Sequence, residues 1–268
     1  MSLTHLRLTA AFELRRLFAT RRGLLWLLAF ALVWGLLLRY PILGAADLLR
    51  REDMREFFLS LSPDGLSTLY LWSSPELAIF WVAALVLYPM ATIGLAADQM
   101  ASDLQRGTLR FLTLRISRDS LLLGRFLGMM TIQLLMILAS LAGTLGLAIY
   151  KGAALLPLLG QSTLVTLNLL LVVLPFTATM ALLSLLAKSG RQAVVLATLF
   201  WLMLPLATGL LSMAWQPLEH LLLLVPGGQI KELMVMTPAA ALTTGWQPLT
   251  QTLLMLVLAR QTLERSSL

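Results

Sequence analysis

The chain has 268 residues, 59% apolar and 12% charged, against roughly half and a quarter in an ordinary soluble domain, which points to a membrane protein and away from a soluble enzyme. There is no cysteine, which excludes disulfides, thiolate metal sites and cysteine nucleophiles. The net charge of +7 does not imply nucleic acid, because the basic residues sit mostly at the ends of apolar runs, where the positive-inside rule places them.

Residues 3–22 put Leu3, Leu6, Ala10, Leu14, Leu17 and Phe18 at steps of three and four, with Arg7, Arg15, Arg16, Arg21 and Arg22 off that stripe. This predicts an amphipathic interfacial helix within a cytoplasmic segment 1–22, its arginines facing lipid phosphates. No short apolar segment with a small-residue cleavage site follows, so it does not read as a cleavable signal. The first span is predicted at about 23–40, with Trp26 and Tyr40 as anchors. The polar stretch 41–75 pairs Asp47 with Arg51 and Glu52 with Arg55 at helical spacing. It reads as a short external helix followed by a loop through Ser62-Pro63-Asp64-Gly65.

Further spans are predicted at about 76–97, 121–150, 161–187 and 192–215. Their apolar runs suffice to cross roughly 30 Å of hydrocarbon at about 1.5 Å per residue. The fourth follows a Pro157/Gly160 break, and Lys188 to Arg191 turn the chain into the fifth. Residues 216–245 are apolar but interrupted by Pro217, Pro226, Gly227, Gly228 and Pro238, so short helices packed against the bundle are expected there. A sixth span at about 247–263, with Trp246 as anchor, and a polar tail 264–268 complete the transmembrane domain 23–263. With a cytoplasmic N-terminus and six spans, Arg39, Arg50, Arg51, Arg55, Lys151 and Lys231 fall outside and every other Lys and Arg inside, the asymmetry the rule requires.

The middles of these spans hold no ionisable residue. Asp98, Arg125 and Arg39 fall at span ends, and Gln133, Thr163, Thr166 and Asn168 read as inter-helix hydrogen-bonding groups. His5 and His220 lie far apart in sequence. No phosphate-cradling loop, His-Glu-x-x-His or Gly-x-Ser-x-Gly occurs, so no catalytic, metal or cofactor site is assigned, and the energy for any work the protein performs is expected from a partner. A self-contained secondary carrier would want buried ionisable groups and a repeat between halves. Gly124, Gly128, Ala139 and Gly143 form a close-packing set on the third span, facing a helix of this chain or of a second subunit.

The segment between spans two and three carries the most information. Gly107 interrupts the helix leaving span two, and Thr108 is placed to cap a short helix. That helix aligns Leu109, Leu112 and Ile116, with Arg110 and Arg115 off the line, and Ser117 to Ser120 can cap span three. The run Arg106-Gly107-Thr108-Leu109, then Leu112, Ile116-Ser117-Arg118 and Leu121-Leu122-Leu123-Gly124-Arg125, resembles the signature of ABC-2-type permeases. It departs at Arg110, where that family often has Glu, and at Arg115, where Pro is common.

The resemblance implies an all-α bundle of six transmembrane helices, of the type V exporter-like kind, with an N-terminal interfacial helix. It implies a permease subunit, not itself an enzyme, of an ATP-driven exporter in a bacterial-type cytoplasmic (inner) membrane, both termini cytoplasmic. The implied partners are two copies of an ABC ATPase subunit, which would hold ATP and Mg, a second permease subunit, identical or related, and membrane lipid. Asp103, Arg106, Gly107, Thr108, Leu109, Leu112 and Arg118 are implied as the ATPase-docking coupling helix, with the 3–20 helix alongside. Leu109 and Leu112 are expected in a groove of the partner, and Arg106 or Arg118 against its acidic rim. The uncharged pathway favours an amphipathic or lipid-like cargo.

Overall fold

The computed structural model describes residues 3–54, 67–212 and 223–265. The Ser62–Gly65 loop, Arg55, His220, Pro217 and the last three residues lie outside them. The described elements are helical. The first, α1, is Leu3–Ala19. The second, α2, starts at Arg21 because the Thr20 side chain accepts from the Gly23 N–H at 3.1 Å. It does not stop at Tyr40 as expected. Pro41 offers no N–H, and the ladder widens into a π-helical turn over Leu38–Ile42 before running on through Leu43–Leu49. The result is one helical segment, Arg21–Leu49.

Helix α3, Pro75–Ala96, opens on Ser74, which accepts from the Leu77 N–H at 3.2 Å, with Pro75 in the first turn. Short helices α4, Ala101–Gln105, and α5, Thr108–Thr113, connect it to α6, Arg118–Tyr150, which is capped by Ser117. Then come α7, Leu155–Leu186, and α8, Gly190–Ser212. Pro157 lies inside the first turn of α7 and does not precede the helix, because first-turn residues need no N–H donor. After the short pieces α9, Ile230–Leu233, and α10, Pro238–Ala241, the described chain closes with α11, Trp246–Arg265.

Among the described residues, five helical segments are long and apolar enough to cross a membrane: Arg21–Leu49, Pro75–Gln105, Arg118–Tyr150, Leu155–Leu186 and Gly190–Leu211. α11 has the length, but its Gln and Thr residues keep it short of that mark. α7 is central, 67% buried over its most apolar stretch, whereas α2 and α8 are peripheral at 11%. α7 packs on α11, α3, α6 and α8, and α1 lies along α6. α2 is pinned by Trp34, whose ring sits 5.2 Å from Phe80 and 5.5 Å from Tyr88.

Polar groups on buried and half-buried side chains of the bundle serve the backbone of the broken segment. Carbonyls outside regular helix need donors where water is scarce. Trp81 donates to Leu233 O at 3.0 Å, Asn168 to Pro238 O at 2.8 Å, Trp201 to Pro226 O at 2.9 Å and Gln251 to Leu223 O at 2.7 Å. Gln133 bridges α6 to α7 by donating to Thr177 at 2.9 Å. Thr163 and Thr166 instead bond carbonyls of their own helix.

Candidate functional site

The arginine-rich end of the bundle is assembled around glycines of α6. A Cβ on Gly124 would stand 1.7 Å from Thr9 Oγ1, and one on Gly128 would stand 2.9 Å from Ala10 O. Without side chains there, α1 lies directly on α6, so this close-packing pair acts within the chain. Ala139 is exposed, and a Cβ on Gly143 would meet Leu38 of α2 at 2.9 Å.

Packing on α6 changes the face that α1 buries. Thr9, Glu13 and Leu17 are buried, while Leu6, Ala10 and Leu14 are only half-buried and Phe18 is exposed. The expected stripe is therefore rotated. Leu8 and Phe12, which the stripe omitted, stand outward. Nor do all the arginines face outward. Arg16 pairs with Asp98 at 2.5 Å and also donates to the Asp98 carbonyl at 3.1 Å.

Arg125, read from sequence as a span-end residue, is 2% exposed in the second turn of α6. It donates to the Gln99 carbonyl and the Asp103 carboxylate and lies 3.4 Å from Glu13 Oε1. Glu13 is also 3.7 Å from Arg16. Two guanidiniums and three carboxylates thus tie α1, α6 and the α3–α4 junction together. Burial pushes the Glu13 carboxyl above its ordinary value, opposed by Arg125 and Arg16 and reinforced by Asp103 and Asp98. Sequence reasoning missed Glu13. Its signal was a lone acid on α1, one turn beyond Thr9 on the face toward Leu17.

The α4–α5 hinge is set by Gly107, whose φ of 68° lies in the left-handed region that only glycine enters freely. Thr108 does not cap α5. Its hydroxyl donates to Asp103 Oδ1 at 2.8 Å, so Asp103 is held from both sides, by Thr108 and Arg125.

Two expected docking residues turn inward. Leu109 is 0% exposed and packs with Met100, Leu121, Leu122, Ala181, Ala259 and Leu263, with Leu112 half-buried beside it. Of its apolar line, Leu109 and Leu112 pack against this chain's own α6, α7 and α11, and Ile116 is half-buried. Arg118 donates to the carbonyls of Leu263 at 2.7 Å and Glu264 at 2.8 Å. There it neutralises the C-terminal end of α11, and its charge does not stand on a rim. The outward edge consists of Arg106, Arg110, Phe111, Leu114 and Arg115, with Phe111 71% and Leu114 82% exposed. Arg106, Arg110 and Arg115 have no ion pair among the described residues.

Chemically, this end is a braced plate. A short helix is fixed beneath by apolar contacts and at its hinge by charge, and it shows two large apolar side chains among unpaired cations. A family model described as an ABC-2 family transporter protein matches residues 10–261. A comparison with curated proteins found no match.

Proposed function

The chain belongs to the ABC-2 transporter family, and from that premise we propose how this membrane permease component of an ABC transporter is driven: force from its partner ATPase enters at the outward edge of α4–α5. The protein is a multi-pass integral membrane protein. The observation that carries the reading is the exposure of Phe111 and Leu114 among the unpaired Arg106, Arg110 and Arg115, on a helix otherwise anchored in the bundle. Apolar anchors within a charged rim are what a docking surface needs.

In this reading two ATPase subunits hold ATP and Mg, and their closure displaces α5. The displacement passes through Leu109 to α6, α7 and α11, and through Asp103 and Arg125 to α1. α7 touches most of the bundle, so moving its end re-opens the pathway. The complex contains a second permease subunit, works as an exporter in an inner membrane with the arginine-rich end cytoplasmic, and takes an amphipathic or lipid-like cargo. A self-contained carrier would use ionisable groups at depth. The buried carboxylates Glu13 and Glu76 lie instead near opposite ends of the bundle, each beside an arginine.

The test is co-purification and coupled ATP turnover. Burying an apolar side chain fully is worth about 1.5–3 kcal/mol, so Phe111→Asp and Leu114→Asp should each weaken assembly roughly 10-fold to 100-fold. Assembly and coupling at the wild-type level in both variants would overturn the docking assignment.

A further inference from the structure

A cleft of about 490 Å³ opens at the same end, between α1, α2, the α3–α4 junction and α6. Its lining has a charged part and an apolar part. Arg22 and Arg106 stand at helix ends, while Trp26, Leu95, Met129 and Ile132 line its apolar part. Trp26 is one turn, about 5–6 Å, beyond Arg22 along α2. The volume falls within the usual range for a small-ligand site, roughly 300–1,000 Å³.

Glu13, Asp98 and Asp103 also line the cleft and are held by Arg16 and Arg125, so with Arg22 and Arg106 four guanidiniums face three carboxylates, an excess of one positive charge. Arg22 and Arg106 are exposed and have no ion pair among the described residues. Arg22 also belongs to the first turn of α2, the positive end of that helix. Two guanidiniums without an ion pair among the described residues, beside an apolar wall, complement an anion attached to a hydrocarbon chain. Gly94 shapes the wall, since a Cβ there would stand 2.8 Å from the Trp26 ring.

We propose that this cleft holds one resident membrane phospholipid, its phosphate between Arg22 and Arg106 and an acyl chain along Trp26, Leu95 and Met129. The lipid is bound whether or not the cargo is itself a lipid; because Arg106 also lies on the proposed docking edge, its binding is read on the chain without ATPase.

The test uses the full chain in nanodiscs, without ATPase, and reads tryptophan quenching by lipids brominated on their acyl chains. The sequence has seven tryptophans, so the Trp26 contribution is the difference between wild type and Trp26→Phe. Brominated phosphatidylglycerol is compared with brominated diacylglycerol, which has the same chains and no phosphate. The phosphatidylglycerol should quench Trp26 at about 30-fold lower mole fraction, for two interfacial arginines. Arg22→Gln/Arg106→Gln, which alters only exposed side chains, should abolish that preference. Equal quenching by both lipids in wild type would mean annular lipid only. Loss of the preference in millimolar inorganic phosphate would mean a soluble-phosphate site. Either result overturns the proposal. Phosphorus analysis after delipidation gives a second readout that needs no Trp26 variant. Wild type should retain about one phospholipid per chain more than the double variant, and equal retention would contradict the site.

Discussion

Arg125 shows at residue scale how one buried charge organises the arginine-rich end. Its guanidinium is matched by Asp103, the Gln99 carbonyl and Glu13. Removing one partner of a buried ion pair typically costs about 3–5 kcal/mol, because the remaining charge stays buried. Arg125→Met should therefore lower the melting temperature of the purified chain sharply, and Glu13→Gln/Arg125→Met should recover part of the loss. Glu13 also gives a pH signature. Its folded pKa is raised above 4.5 by burial, so its contribution to stability is fully present below pH 4.5 and lost as pH rises through the folded value. Melting curves of wild type measured against Glu13→Gln should show wild type losing relative stability as pH increases through that range. A constant difference across pH would show that Glu13 does not titrate there. Arg125 was visible in the sequence, but Glu13 was not visible as its partner. The two lie on helices whose contact depends on Gly124 and Gly128, and no local pattern pairs them.

At the scale of elements, helical period identifies residues that share a line, but not which of two surfaces the line meets. The alignment of Leu109, Leu112 and Ile116 was legible. The burial of Leu109 against Leu121, Ala181, Ala259 and Leu263 was not, because those contacts come from three other helices. Leu109→Asp should thus act on the fold, lowering yield and melting temperature of the isolated chain. Leu114→Asp, at an 82% exposed position, should leave both unchanged and affect only ATPase binding. Thermal melting separates the two, and equal melting temperatures would return Leu109 to the docking surface. The α1–α6 contact has its own test. Gly124→Leu would drive a side chain into Thr9, an overpacking worth about 1–3 kcal/mol, and should raise protease cleavage within α1. Proline reads as punctuation only where no helix can absorb it: Pro157, expected as part of a break before the fourth span, sits in a first turn that needs no donor, and the helix beyond Tyr40 continues through a π-helical turn at Pro41.

For the whole molecule, run lengths made the all-helical membrane architecture legible, and one stretch of sequence signalled the family, which the match over residues 10–261 shows. Composition could not reveal that α7 is central and α2 peripheral, since both are apolar enough to span; only packing distinguishes them. The central claim is that the outward edge of α5 meets the ATPase at the cytoplasmic end. The sequence contains no cysteine, so a single introduced thiol is a unique probe. Leu114→Cys and, at the C-terminal end of α6, Tyr150→Cys are both at highly exposed positions. Each variant, co-expressed with the partner ATPase, is treated with a short thiol-directed photo-cross-linker in membranes. The account predicts a covalent adduct with the ATPase from Leu114→Cys and none from Tyr150→Cys. An assembled complex that cross-links from Tyr150→Cys, or from neither position, would contradict it.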